Sequence, residues 1–297
     1  MTAQALADRR VVEARASSGL WRDAFRRLRR NKPAIVGVVL IAVFVFAAVF
    51  APMVAPYDPL AGSLALRLHP PDSINLLGTD LQGRDELSRI LYGARVSLLA
   101  GIASVVMGLT IGGLIGALAG SIGGRVDSVL MRIVDVMLAI PGILLAIGIV
   151  AWLDRGLPQI MFAVAMTNAP IFARILRGSL LSMREAEFVI ASRSVGAAGL
   201  RLLLRHMLPN SLTPLIVAAT LALATAIIDV AGLGFLGLGP PDPRTAEWGT
   251  MLTDATKFLR LAPWLIFFPG LAIVISAIGF NLLGDGLRES LDPRLKR

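Results

Sequence analysis

Residues 33–55, PAIVGVVLIAVFVFAAVFAPMVA, contain no charged side chain. About 20 apolar residues in a row are what a helix needs to cross the hydrocarbon layer of a bilayer. Lipid offers no hydrogen-bond partner to a peptide group, so such a run is expected to be helical. A secretory signal is the other use of an apolar run. This run exceeds the usual core of roughly 7–15 residues, and about thirty residues precede it, so an uncleaved membrane helix is expected.

Five further apolar stretches follow, at residues 96–120, 129–152, 157–181, 212–238 and 262–283. The third span carries Arg132 and Asp135 in its first turns. The fourth is interrupted by Asn168, Pro170, Arg174 and Arg177 and is the weakest. The fifth holds one acid, Asp229. Six spans put both termini on the same side. Charge supports that count: of the 29 Lys and Arg, 21 fall in the segments then shared with the termini, and 8 in the opposite ones. Basic residues are enriched on the cytoplasmic side of membrane proteins, so both ends are expected to be cytoplasmic. The net charge of +9 therefore needs no nucleic acid; the basic arm RDAFRRLRRNK is expected to meet anionic lipid. The expected organisation is a basic arm over 1–32, a first span over 33–55, an extracytoplasmic segment over 56–94, a core over 95–285 and a tail over 286–297.

The chemistry the chain lacks is equally informative. There is no cysteine, so no disulfide or thiolate site. Lysine occurs only at Lys32, Lys257 and Lys296, none after glycine, which excludes a GxxxxGK phosphate loop. Two histidines, His69 and His206, cannot make HExxH, and no GxSxG is present. A transport component is favoured over an enzyme, and no metal or cofactor site is expected on this chain.

Within the spans, Gly108, Gly112, Gly116 and Gly120 recur every four residues. Four-residue spacing keeps them near one helix face, where missing side chains let another backbone approach. Chance glycines in a glycine-rich chain are the alternative, and four in register favour the packing face. Pro141-Gly142 and Pro269-Gly270 mark kinks in the third and sixth spans. Ala218, Ala222, Thr225 and Asp229 form a small or polar face of the fifth. An ionised group in hydrocarbon costs about 2.5–3.5 kcal/mol, so Asp229 is expected either to line a path or to sit shallow and hydrated. Between the first two spans, Thr79 or Asp80 is expected to cap a short surface helix with Leu87, Ile90 and Leu91 on one face. A second short helix is expected after the turn-rich GPPDPRTAEWGTML.

Residues 188–210, FVIASRSVGAAGLRLLLRHMLPN, break the apolar pattern. Glu187 to Val195 can form one helix, with Gly196 as its C-cap glycine. A second is expected from Leu200 to Leu208, stopping at Pro209. Arg193, Arg201 and Arg205 suit acidic groups or phosphates. From these residues alone, a solvated hairpin and a docking element both stand.

The order of the motifs settles which to expect. RRLRRNKPAIVGVVLI, LGTDLQGRDELSRILYGARVSLL, VDSVLMRIVDVMLAIPGILLA, EFVIASRSVGAAGLRLLLRHMLPNS, FLGLGPPDP, EWGTML, APWLIFFPGLAI and FNLLGDGLRESLDPRL resemble, over about residues 25–297, the dipeptide/oligopeptide ABC permease family and its C-type subunit. The resemblance implies an all-α integral membrane protein with six transmembrane helices, a type I ABC importer permease fold and a cytoplasmic coupling (EAA) loop at about 183–210. It implies that Glu187, Phe188, Ala191, Ser192, Arg193, Gly196, Ala197, Arg201 and Arg205 dock on a separate ATPase. It further implies a second homologous permease, two ATP-binding subunits that use ATP and Mg, and an extracytoplasmic substrate-binding protein. Peptides are the cargo it implies; nickel and glutathione occur among related systems. Two positions depart from the family pattern: Ile190, Ala191 and Ser192 stand where Glu-Ala-Ala is common, and Val230 where many relatives have an acid. The rival classes are a stand-alone secondary transporter relying on Asp229, a membrane enzyme, and a membrane scaffold.

Overall fold

The computed structural model describes residues 25–197 and 199–291 of the chain. Much of the basic arm and the last residues of the tail, 292–297, lie outside the described residues. Among the described residues the elements are helices, with two isolated bridges and no strand.

Helix α1, Lys32–Val54, starts where Asn31 caps it: the Asn31 side chain accepts from the Ala34 N–H at 3.1 Å, and proline occupies the first turn. Helix α2, Glu86–Ile122, is 37 residues long, roughly 55 Å at 1.5 Å per residue. That exceeds the hydrocarbon thickness, so its first turns project beyond the membrane. The separate surface helix expected near Thr79 does not exist. Those residues form the start of α2, capped by Asp85, whose carboxylate accepts from the Ser88 N–H at 2.8 Å.

The third span is not a straight crossing. It is helix α3, Gly124–Ala139, and helix α4, Gly142–Leu153, bent by 98°. Pro141 at the break has no N–H to continue the ladder. At 12 residues, α4 reaches about 18 Å, too short to span alone. Helix α5, Leu157–Arg184, is continuous through Pro170. Helix α6, Glu187–Ser194, is followed by a short turn of helix, α7, Gly199–Leu202, and a π-helical segment, Leu203–Met207. These lead without a stop into helix α8, Leu208–Leu233. The expected halt at Pro209 is therefore absent: in the first turn of α8 the missing N–H of proline leaves few bonds unmade. A second π-helical segment, Gly234–Leu238, ends α8. Helix α9, Trp248–Ala255, and helix α10, Trp264–Leu291, complete the bundle, and α10 runs unbroken through Pro269.

Helices α2 and α5 make the closest contact. A Cβ at Gly108 would lie 2.8 Å from the Ala165 carbonyl oxygen, and one at Gly112 or Gly116 would collide with the carbonyls of Ala169 or Ala173. Gly120 faces the Leu180 side chain. Two small-residue ladders with a four-residue repeat thus mesh, which is how helices gain dispersion contact where no hydrophobic drive separates them from lipid. Helix α1 attaches to α10 similarly: a Cβ at Gly37 would be 2.7 Å from Gly279 O. At one end of the bundle Asn31 Nδ2 donates to Glu289 Oε2 at 2.7 Å, so the start of α1 and the end of α10 share a side.

Candidate functional site

The two ends of the bundle are built differently. At the end bearing residues 55–85 and 239–263, a charged network is buried. Asp80 accepts from the Arg84 backbone at 2.9 Å and from Arg84 Nε at 2.6 Å. Arg84 also donates to the Pro243 carbonyl at 2.9 Å and Gln82 Oε1 at 2.8 Å. Arg89 lies 3.4 Å from Asp80, and Asn75 donates to Asp85 at 3.0 Å. Glu247 caps α9, accepting from the Gly249 and Thr250 N–H groups at 2.8 and 2.9 Å and from Ser97 at 3.3 Å. Burial holds the Glu247 carboxyl above its ordinary value, against the pull of those donors. Burial likewise raises Asp254, opposed by Arg89 and Arg84. Sequence reasoning missed Asp80, Arg84, Glu86, Arg89 and Glu247. The available signal was the density of opposite charges in TDLQGRDELSR, read as surface because charges usually are.

At the other end stands the hairpin. Helix α6 closes in a Schellman motif: Gly196 N–H donates to Arg193 O at 2.9 Å and Ala197 N–H to Ser192 O at 3.0 Å, with Gly196 at φ +91°. Only Val189 of α6 is buried, joined in the core by Leu202 and Met207. Glu187, Phe188, Ala191, Arg193, Gly196, Arg201 and Arg205 are exposed, and Ser192 and Ala197 partly so. The Ser192 hydroxyl donates to Phe188 O at 2.7 Å, so it needs no outside partner. Ile190, Val195, Leu200 and Leu204 are exposed too, Val195 at 85%. Arg184 anchors the hairpin's base by donating to Ser121 O at 2.5 Å. The structure thus gathers the nine hairpin residues into one projecting element that offers apolar and cationic side chains together.

The α8 residues stand apart from it. Thr225 is exposed, its hydroxyl donating to Ala222 O at 3.1 Å, and Asp229 is partly exposed. Ala224, Ile227 and Ala231 are buried on the opposite side. A cleft of about 1,090 Å³ opens along α5, the first half of α8 and the end of α10, lined in part by Arg174, Ser182, Asn210, Thr213, Ala218 and Arg288. It reaches Leu221, but neither Thr225 nor Asp229 lines it. Two ion pairs tie α3 to α5 beside the cleft: Arg177 to Asp127 through bonds of 2.5 and 2.6 Å, and Arg174 to Asp135 at 2.7 Å.

Apolar helices enough for five spans plus a broken sixth, with a projecting basic hairpin, define a multi-span membrane transport component. Residues 112–297 match the family of binding-protein-dependent transport system inner membrane components, and residues 19–71 match the N-terminal transmembrane domain of oligopeptide transport permease C. The chain belongs to this binding-protein-dependent permease family. It is 46% identical over 276 residues to the dipeptide transport system permease protein DppC of Alkalihalophilus pseudofirmus, covering 93% of this chain and 90% of that one. It is 42% identical to DppC of Escherichia coli K12 over 98% of both chains. It is also 42% identical to the oligopeptide transport system permease protein OppC of Bacillus subtilis, over 96% and 93%. Over 69% of this chain and 96% of the other, its fold is similar to that of a chain of the MetNI methionine ABC transporter, whose structure is described as inward facing, at a TM-score of 0.57 and 21% identity.

Proposed function

We propose that the chain is the membrane permease subunit of an ATP-driven importer of di- or oligopeptides. The observation that carries this reading is the hairpin: a short helix stopped by a Schellman glycine, exposing Phe188, Ile190 and Val195 beside Arg193, Arg201 and Arg205. An apolar and cationic surface of this kind is costly to leave in water and fits an acidic-rimmed cleft on another protein. In this reading the occupant is one of two ATP-binding subunits, which use ATP and Mg. This chain contributes no catalytic group. In this reading both termini are cytoplasmic, which the enrichment of Lys and Arg in the segments on the hairpin's side supports.

A second, homologous permease covers the cleft side and completes the path. Helix α3 leaves Val129, Ile133 and Val136 exposed at four- and three-residue spacing, with Ile140 exposed just past its end, a pattern that suits a neighbouring helix. Thr225 is exposed and Asp229 partly so, and in this reading both lie on the path between the two permeases. An extracytoplasmic binding protein delivers the cargo to the far end. ATP binding draws the two hairpins together, and the bundles rock to open outward; coupling requires only that the nucleotide state favour one arrangement over the other. Peptide cargo rests on the DppC and OppC relatives.

The test is co-purification from native membranes with a Gly196→Pro control. Proline cannot adopt φ +91°, so the Schellman turn is lost while the spans are untouched. Wild type should bring down an ATPase stimulated by peptide with its binding protein; the variant should insert and lose it. A chain that travels alone yet moves solute down an ion gradient would favour the secondary-transporter reading and direct attention to Asp229.

A further inference from the structure

At the end of α1 away from the hairpin, three segments meet around a cavity of about 770 Å³. The turn after α1 contributes Tyr57 and Asp58, one face of α2 contributes Tyr92 and Arg95, and the loop before α9 contributes Arg244. The chain has two tyrosines, and both line this cavity. Tyrosine concentrates where a ring can sit in apolar surroundings with its hydroxyl in water, the interface of a bilayer. Arg95 is exposed and makes no ion pair among the described residues. Asp58 uses Oδ1 to accept from Leu60 N–H at 2.8 Å, which leaves Oδ2 available. Arg244 is held by Asp242, yet it has further donors.

The place of the cavity selects its occupant. The last turns of α1 expose Val49, Phe50, Met53 and Val54. Helix α1 therefore presents hydrocarbon-compatible surface up to the cavity's rim, so the cavity opens where acyl chains end and headgroups begin. We propose that it is a headgroup site for an aminophospholipid in the leaflet where α1 ends. The phosphate is held by Arg95 with help from Arg244, the ammonium by Asp58, and the glycerol region lies against the Tyr57 and Tyr92 rings. A guanidinium matches phosphate oxygens in a planar fork, and a carboxylate accepts from a primary ammonium. The same pairing of ammonium and oxyanion occurs in a free dipeptide, and the continuity of the cavity with the lipid-facing side of α1 favours the lipid.

The experiment uses the full-length chain, delipidated in detergent with its co-purifying partners, and native mass spectrometry with dioleoyl phosphatidylethanolamine, phosphatidylcholine or phosphatidylglycerol at matched concentration. Phosphatidylethanolamine should be retained about tenfold better than phosphatidylcholine, whose quaternary ammonium has no N–H to donate. Arg95→Ala should weaken retention about tenfold and Arg95→Lys, which keeps the charge but not the planar fork, should restore only part of it. Asp58→Asn, which can still accept from Leu60, should erase the preference for ethanolamine over choline. Dialanine at millimolar concentration should displace nothing. Displacement by dialanine would reassign the cavity to peptide, and unchanged lipid retention in Arg95→Ala or an unchanged preference in Asp58→Asn would overturn the proposal.

Discussion

The capped end and the hairpin end carry similar residue types and put them to opposite use. At the capped end arginines and carboxylates are buried and largely bonded: Arg84 meets Asp80, Gln82 and the Pro243 carbonyl, while Glu86 Oε1 and Arg89 Nη1 are left without a partner among the described residues. At the hairpin Arg193, Arg201 and Arg205 are exposed and in no ion pair among the described residues. Buried polar groups are tolerated only with partners, and once partnered they fix one geometry. An exposed surface with unspent donors and apolar side chains is held for something else. In the proposed reading, the contrast separates an end that sets the bundle's shape from an end that receives force from a partner.

Arg84→Ala should break the comparison most visibly if it is wrong. Removing that guanidinium leaves the buried Asp80 carboxylate with its two backbone donors, at positions 82 and 84, and with Arg89 as its one remaining cation, at 3.4 Å. Losing one partner of a buried pair costs about 3–5 kcal/mol. Thermal unfolding of the purified protein should show a large fall in midpoint. A loss under about 1 kcal/mol would mean that the cap is hydrated and no stiffer than the hairpin.

The ends must also be joined by something stiff for force at one to reach the other, and the α2–α5 contact is the candidate. Gly112→Ala should cost about 1–3 kcal/mol, because its Cβ would meet the Ala169 backbone. Gly113→Ala, with nothing within 4 Å, should be neutral or gain about 0.5–1 kcal/mol from helix propensity. Equal effects at the two neighbours would dissolve the meshed ladder.

Acidity probes the cap in a different way. Burial raises Glu247 above 4.5, so protonation is easier in the folded chain than in the unfolded one. A carboxyl of this kind stabilises the fold fully below its unfolded value and loses that contribution as pH climbs through its folded value. The unfolding midpoint should therefore decline as pH rises above about 4.5, and Glu247→Gln should lessen that decline, the remainder coming from Asp254 and from Glu86, which burial pushes up to about 8. A variant whose midpoint declines as steeply as wild type, or more steeply, would show that hydrogen bonds outweigh burial at Glu247.

How much of this could be read from residues alone divides along the same line. The glycine repeat at Gly108 to Gly120 was legible because small residues at helical spacing have few other uses in a span. The stop at Gly196 was legible because a left-handed residue after a helix favours glycine. The start of α2 was not: Glu86 and Arg89 look like a solvent-facing turn, and only tertiary contact with α9 and its preceding loop buries them. The proline at position 141 was visible, but not the 98° bend, whereas Pro209 was credited with a stop it does not make and α10 continues through Pro269. Proline removes one bond; its surroundings decide whether the helix continues.

The smallest effect on stability should come from reversing charge on the hairpin. Arg201→Glu with Arg205→Glu alters two exposed side chains and should leave the unfolding midpoint within about 0.5 kcal/mol of wild type. If an acidic-rimmed ATPase cleft receives this element, like charges brought together there cost several kcal/mol, and co-purified ATPase should fall by an order of magnitude or more. A lower midpoint with ATPase retained would give the arginines a structural role, and the hairpin would then be part of the frame. A silent midpoint with ATPase lost is the result the comparison demands, because an element anchored by Val189, Leu202 and Met207, with Ala197 and Leu203 packed beside them, and by its base can transmit a push without being needed for the fold.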